Sequence, residues 1–210
     1  MIKRIYMIMV VILTSLIFTN MKTAHADEIN YDSIPMTQIS YSDSTIHTWG
    51  MIVQDNAIYL NYNNDPKGQG TTTFQGYGFN FKLGDQQAVM NIDSSDSGNI
   101  PTKLGDTRSI KFQTNNYSSN IQEKITGTIL VSDNGNSDKP AQILHIKIPM
   151  STLVKDPSLV NKVELNNPNL GGGTLVSDGA STSPVLSVSI AVIAVLVIGF
   201  FVYRKKRRVA

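Results

Sequence analysis

Three histidines, several acidic and amide-rich turns, eight tyrosines and one tryptophan are the side chains in this chain that could do chemistry. There is no cysteine, so a thiolate nucleophile, a disulfide framework and a Cys-based zinc site are all excluded. His47 and His145 stand about a hundred residues apart, and neither has neighbours at metal-ligand spacing. His145 alternates with Leu144 and Ile146, the pattern of a polar residue on the outward face of a strand. No Gly-x-Ser-x-Gly elbow prepares a serine nucleophile. The chain therefore reads as a non-catalytic protein, with no catalytic residue assigned.

Two loops offer hard oxygen ligands. Asp93, Asp96 and Asn99 lie in "DSSDSGN", and Asp133, Asn134, Asn136 and Asp138 in "DNGNSD". Neither follows the EF-hand pattern. Turns of this composition are usually held by side chains that bond their own backbone. Asp93, Asp96 and Asn99 stand as a candidate Ca2+ loop beside that simpler reading, and no other cofactor is implied.

Aromatic rings beside amides suit a carbohydrate, which stacks on a ring and hydrogen-bonds through its hydroxyls. Trp49, Tyr59, Asn61 and Tyr77 are the candidate ligand-binding residues. The competing expectation is that Trp49 and half the tyrosines are core. If Tyr62 shares an inward face with Ile58 and Leu60, Tyr59 points outward beside Asn61 and is expected to be exposed.

The elements that must position these residues have a period of two. "WGMIVQDNAIYLNY" alternates on both sides of Asp55-Asn56, a pair that tolerates positive φ and predicts a tight hairpin. A second hairpin is expected from Phe79, Phe81 and Leu83, through a turn at Gly84–Gln87, to Ala88, Met90 and Ile92. Further strands are expected at 37–41, 109–113, 121–131, 142–148 and 162–165, with Leu144, Ile146 and Ile148 sharing a face. Turns are expected at 64–68, 94–101 and 133–140, and a short helix at 149–155. Many short strands between Gly-, Asn- and Asp-rich loops predict an all-β fold, an antiparallel β-sandwich. The "GGGTLVSDGASTSP" that follows is small and polar and reads as a flexible spacer.

The two ends give the domain its setting. Lys3 and Arg4, an apolar stretch and Ala24-His25-Ala26 read as a signal peptide cleaved between Ala26 and Asp27. From Val185 to Tyr203 there are 19 residues without a charge, and a helix of that length spans roughly 28 Å, near the ~30 Å hydrocarbon core. Arg204, Lys205, Lys206, Arg207 and Arg208 follow at once, a cationic block that stays cytoplasmic. The expected organisation is signal peptide 1–26, ectodomain 27–170, spacer 171–184, transmembrane helix 185–203 and tail 204–210. The ectodomain lies outside the cell membrane and the protein crosses it once. Between the signal peptide and the span there are ten Lys and Arg against 16 Asp and Glu, a net charge of −6 that makes nucleic acid a poor partner. Membrane lipid is the expected partner of the span and tail. Export without cysteine suits a Gram-positive bacterium.

A Gly/Ser-rich stretch opening with Gly171, Gly172 and Gly173, one span and a basic cluster together resemble a bacterial C-terminal sorting signal. No LPxTG sequence is present, so the tail is unlike the substrates of ordinary sortases. It resembles the CTERM-type sorting domains of Firmicutes surface proteins, proposed substrates of exosortase-like proteases. "IPMTQISYSDSTIHTWGMIVQDNAIYLNY", "LHIKIPMSTL" and "VELNNPNLGGGT" are similar to segments of those ectodomains. The resemblance implies a sandwich like a family 9 carbohydrate-binding module, surface display, and processing by an exosortase-like protease near 171–183. Two functional classes follow: a binding or adhesion module for a surface glycan, or an accessory subunit contacting another envelope protein through a strand edge.

Overall fold

The computed structural model describes residues 29–39, 45–67, 74–136, 138–171 and 173–178. The chain divides into Met1–Asn30 and Tyr31–Ala210, and the fold below belongs to the second unit. Its described residues hold ten strands: β1 (Thr37–Ile39), β2 (Thr45–Gln54), β3 (Ala57–Pro66), β4 (Phe79–Leu83), β5 (Gln86–Ile92), β6 (Thr107–Asn116), β7 (Ile121–Ser132), β8 (Ala141–Pro149), β9 (Lys162–Asn166) and β10 (Thr174–Asp178). They form one sheet in the order β1-β2-β3-β8-β7-β6-β5-β4-β9-β10. Every pairing is antiparallel.

Turn chemistry sets the hairpins. Asp55 (φ 50°) and Asn56 (φ 57°) both take the left-handed conformation, so Gln54 faces Ala57 across a two-residue turn. Two positive φ values match the strand twist, and Asn and Asp accept them. Gly84 (φ 60°) and Asp85 make the second two-residue turn, in which only the glycine has positive φ, with Leu83 opposite Gln86.

Alternation then builds the core on one face. Trp49 of β2 faces Tyr62 of β3, which faces Leu144 of β8, which faces Ile129 of β7. Phe112, Met90, Phe81 and Leu165 continue the face through β6, β5, β4 and β9, and all of these side chains join one buried cluster. Fully burying each is worth roughly 1.5–3 kcal/mol. One cluster from so wide a sheet requires the sheet to curl. Tyr62 of β3 meets Phe79 of β4 edge-on at 5.8 Å between ring centres, although four strands stand between them in the sheet. The sheet is thus a half-barrel around its own concave face.

The all-β antiparallel class expected from the sequence is what the structure has. Some local expectations change. The expected helix at 149–155 is only a single 3-10 turn, Met150–Thr152, whose first amide donates to Asn56 O. Strand β3 runs on through Pro66, where a turn was expected from Asn64. The spacer expectation is corrected at Thr174–Asp178, which pairs with β9 as the last strand, Leu175 opposite Leu165. The signal peptide with its Ala26–Asp27 junction, the 185–203 span and the basic tail lie outside the described residues. Among the described residues no helix is long and apolar enough to cross a membrane.

Candidate functional site

Opposite the core, the outer face of β3 and β8 gathers side chains able to bind. Tyr59, Asn61 and Asn63 share that face of β3, and Lys147 and His145 of β8 stand directly across from Tyr59 and Asn61. A strap from Tyr31 to Met36 lies over them. It begins with a 3-10 turn, Tyr31–Ser33, closed by Ile34 N donating to Tyr31 O. Asn61 Nδ2 donates to the same carbonyl at 3.0 Å. The Tyr31 ring stacks on His145, 4.5 Å between centres and 5° from parallel, with Tyr59 tilted beside it at 6.2 Å. Lys147 Nζ sits 5.5 Å from the Tyr59 ring centre, within cation–π range.

Gly50 makes this arrangement possible. It lies in β2 opposite Asn61. A Cβ there would overlap the Pro35 carbonyl oxygen and come within 2.8 Å of Ile34 Cγ2. Without one, the strap backbone lies flat on the sheet and Ile34 becomes 2% exposed.

Three polar atoms on this face are buried without a hydrogen-bond partner: Asn61 Oδ1, Asn63 Oδ1 and His145 Nε2. Each such group costs about 1–3 kcal/mol. Burial holds the His145 pKa below its ordinary value, an effect the nearby Asp32 carboxylate opposes. The face therefore combines neutral amide and imidazole groups and aromatic rings with two charges of opposite sign, Lys147 over Tyr59 and Asp32 near His145. That chemistry suits a ligand rich in hydroxyls better than a charged one.

The structure sorts the sequence candidates. Tyr59 and Asn61 come together at this face, but Tyr59 is only 6% exposed, which corrects the expectation of an open ring; the strap covers it. Trp49 lies on the opposite side of the sheet, in the core. Tyr77 is 44% exposed and stands elsewhere, its carbonyl accepting from Asn167 and Asn169 side chains beyond β9. His47 and His145 are on opposite faces, and His47 Nδ1 meets Tyr62 Oη at 3.0 Å in the interior. Tyr31 and Gly50 were not singled out as site residues from the sequence. A glycine inside an alternating strand was the one signal of close backbone approach.

The candidate calcium loop is internally satisfied. Asp93 Oδ1 accepts from Ser95 N and Oγ, and Oδ2 pairs with Lys124 Nζ at 2.7 Å. Asp96 Oδ1 accepts from Asn99 Nδ2, and Oδ2 accepts from Lys111 N. Lys124 and Ser95 hold the Asp93 carboxyl far below the usual carboxylate range. The Lys111 amide and Asn99 lower that of Asp96. All four carboxylate oxygens are thus engaged by protein donors. Among the described residues no group of three or more His, Asp or Glu is placed to hold a metal.

Fold and site define an all-β domain with a strapped aromatic–amide face. No protein-family model, curated protein or solved structure matches this chain.

Proposed function

We propose that this chain is a surface protein of a Gram-positive envelope, exported by residues 1–26 and held by one membrane span at 185–203. Its β domain, one sheet curled around its own concave face, is comparable with the sandwich of a family 9 carbohydrate-binding module. It is displayed outside the cell as a non-catalytic binding module. The ligand is a neutral surface glycan, held on the outer face of β3 and β8.

The observation that carries this reading is the set of unpartnered polar atoms on Asn61, Asn63 and His145 beside the Tyr31 and Tyr59 rings. A sugar hydroxyl both donates and accepts, so it can satisfy an amide oxygen and either tautomer of a neutral imidazole. Tyr31 supplies the stacking platform, and the strap shifts to admit the ligand. Full-length protein in detergent micelles on an array of cell-wall glycans tests the reading. Tyr31→Ala and Asn63→Ala should each weaken binding about tenfold or more, the effect of losing one buried contact. Arrays that stay silent, or binding untouched by both substitutions, would overturn it.

One observation favours the accessory-subunit reading. Among the described residues β10 ends the sheet, pairs with β9 alone, and leaves Val176 57% exposed. Such an edge can accept a strand from another envelope protein. Co-purification that Val176→Lys abolishes, together with silent arrays, would decide for it.

A further inference from the structure

We infer that the end of the sheet bearing Tyr117 and Leu159 rests on the lipid surface that residues 185–203 enter. This rests on the reading of 185–203 as a membrane span.

The described chain ends at that end of the sheet. Asp178, the last residue of β10, lies opposite Lys162, the first of β9. Lys162 O accepts from Gly84 N in the β4–β5 turn. Just past that turn, Gln86 Oε1 accepts from Asn116 Nδ2 and Ser119 Oγ, which brings the β6–β7 turn and Tyr117 alongside. Asn116 Nδ2 also donates to Leu153 O at 2.7 Å, fixing the segment that leads to Leu159. Asp178, Tyr117 and Leu159 therefore share one end. Tyr77 and Leu104 belong to the other, where Asn166 faces Thr174 and Gly105 N donates to Val131 O.

The tether is short. Six residues separate Asp178 from Val185. At no more than ~3.6 Å per residue, this stretch reaches at most about 25 Å. Strands β2, β3 and β6 are each 10 residues long, about 33 Å from end to end. The domain therefore cannot turn over to put Leu104, at the far end of these long strands, on the membrane; Tyr77 stands only one five-residue strand from Asp178 and is 44% exposed.

The surface left facing the lipid is also the one with the most exposed large apolar side chains. Tyr117 is 85% exposed and Leu159 75%, the highest values among the large apolar side chains of the described residues. Tyrosine favours the headgroup level and leucine the acyl boundary just beneath it. The turns there carry Asp55, Asp85, Asp156 and Asp178 against Lys155 and Lys162. Contact is therefore made by apolar insertion, and anionic lipid does not strengthen it.

The absence of cysteine makes the test direct. Full-length Ser118→Cys, with Tyr117 kept, and full-length Leu104→Cys are each labelled with one fluorophore. They are reconstituted in phosphatidylcholine vesicles, with or without phosphatidylglycerol, that contain headgroup-nitroxide lipid. The label at 118 should be quenched about twofold or more and the label at 104 hardly at all, alike in both lipids, since only groups at the interface meet the nitroxide. Adding Tyr117→Ser and Leu159→Ser should relieve the quenching at 118. Equal quenching at both ends, or none at 118 in protein that resists carbonate extraction, overturns the docked orientation and leaves the span standing. Protein released by carbonate overturns both.

Discussion

Replacing Gly50 with alanine tests whether the strap is held by close backbone approach. The added Cβ would overlap the Pro35 carbonyl oxygen, which no side-chain rotation can move away, so the strap must lift. Lifting exposes Ile34, now 2% exposed, at a cost of roughly 1.5–3 kcal/mol. It also separates the Tyr31–His145 stack, worth about 0.5–1.5 kcal/mol. Two effects oppose these. Water regains the unpartnered atoms of Asn61, Asn63 and His145. Removing a glycine also restricts the unfolded chain, by about 0.4–1 kcal/mol. Water would return about 1–3 kcal/mol for each of those three atoms it reached, so the loss is about 1–4 kcal/mol, and Tm falls by roughly 3–10 °C, when the strap lifts only far enough to relieve the overlap and keeps them dry. Trp49, the single tryptophan, is in the core, so its fluorescence on heating reports unfolding of the sheet and not mere release of the strap. Ile34→Ala should lower Tm similarly, and the double variant little further, because both changes remove the same contact. An unchanged Tm in Gly50→Ala, or fully additive losses, would refute the argument.

Acid should act in two stages. Below the ordinary histidine value of 6.5, the unfolded chain binds a proton at His145 that the folded chain resists, so stability falls as pH drops from there. His145→Gln should remove this stage from a plot of Tm against pH. Asp93 and Asp96 have lowered pKa values, so their stabilisation is complete above the ordinary 3.8 and is lost as pH falls below it. Asn134 Nδ2 donates to Asp65 Oδ1, Pro66 O and Lys139 O, joining the end of β3 to the β7–β8 loop. Asn134→Asp puts an acceptor where those three acceptors need a donor. It should cost about 1–3 kcal/mol in a thermal or denaturant melt, more than Asn134→Ala. If a membrane protease trims the tail, pairing of Thr174–Asp178 with β9 protects that stretch, and mass spectrometry of the mature protein should place the new C-terminus after Asp178.

Most of the strands were legible because each carries its own evidence. Phe79, Phe81 and Leu83 alternate without interruption, and Asp55-Asn56 is a turn in any context. β10 was not legible. Thr174–Asp178 has only Leu175 and Val176 as apolar residues and sits in a run of glycine and serine, so its local preference is weak. It becomes a strand because β9 presents an open edge, and only the folded sheet supplies that edge. The strap was hidden for a related reason. Alternation places Tyr59 and Asn61 on the outer face correctly, but it cannot say that another part of the chain covers that face. The covering segment is 30 residues away from Asn61 in sequence, and its hold depends on Gly50, whose contribution is a missing atom. The same logic applies to the loop that holds Asp93 and Asp96. Composition gives the number of oxygens, whereas Ser95, Lys111 and Lys124, which arrive from the loop itself and from β6 and β7, decide whether those oxygens are already engaged. What periodicity conveys is therefore which face a side chain occupies. What lies against that face is set by contacts between distant segments, and in this protein the candidate site is made of such contacts.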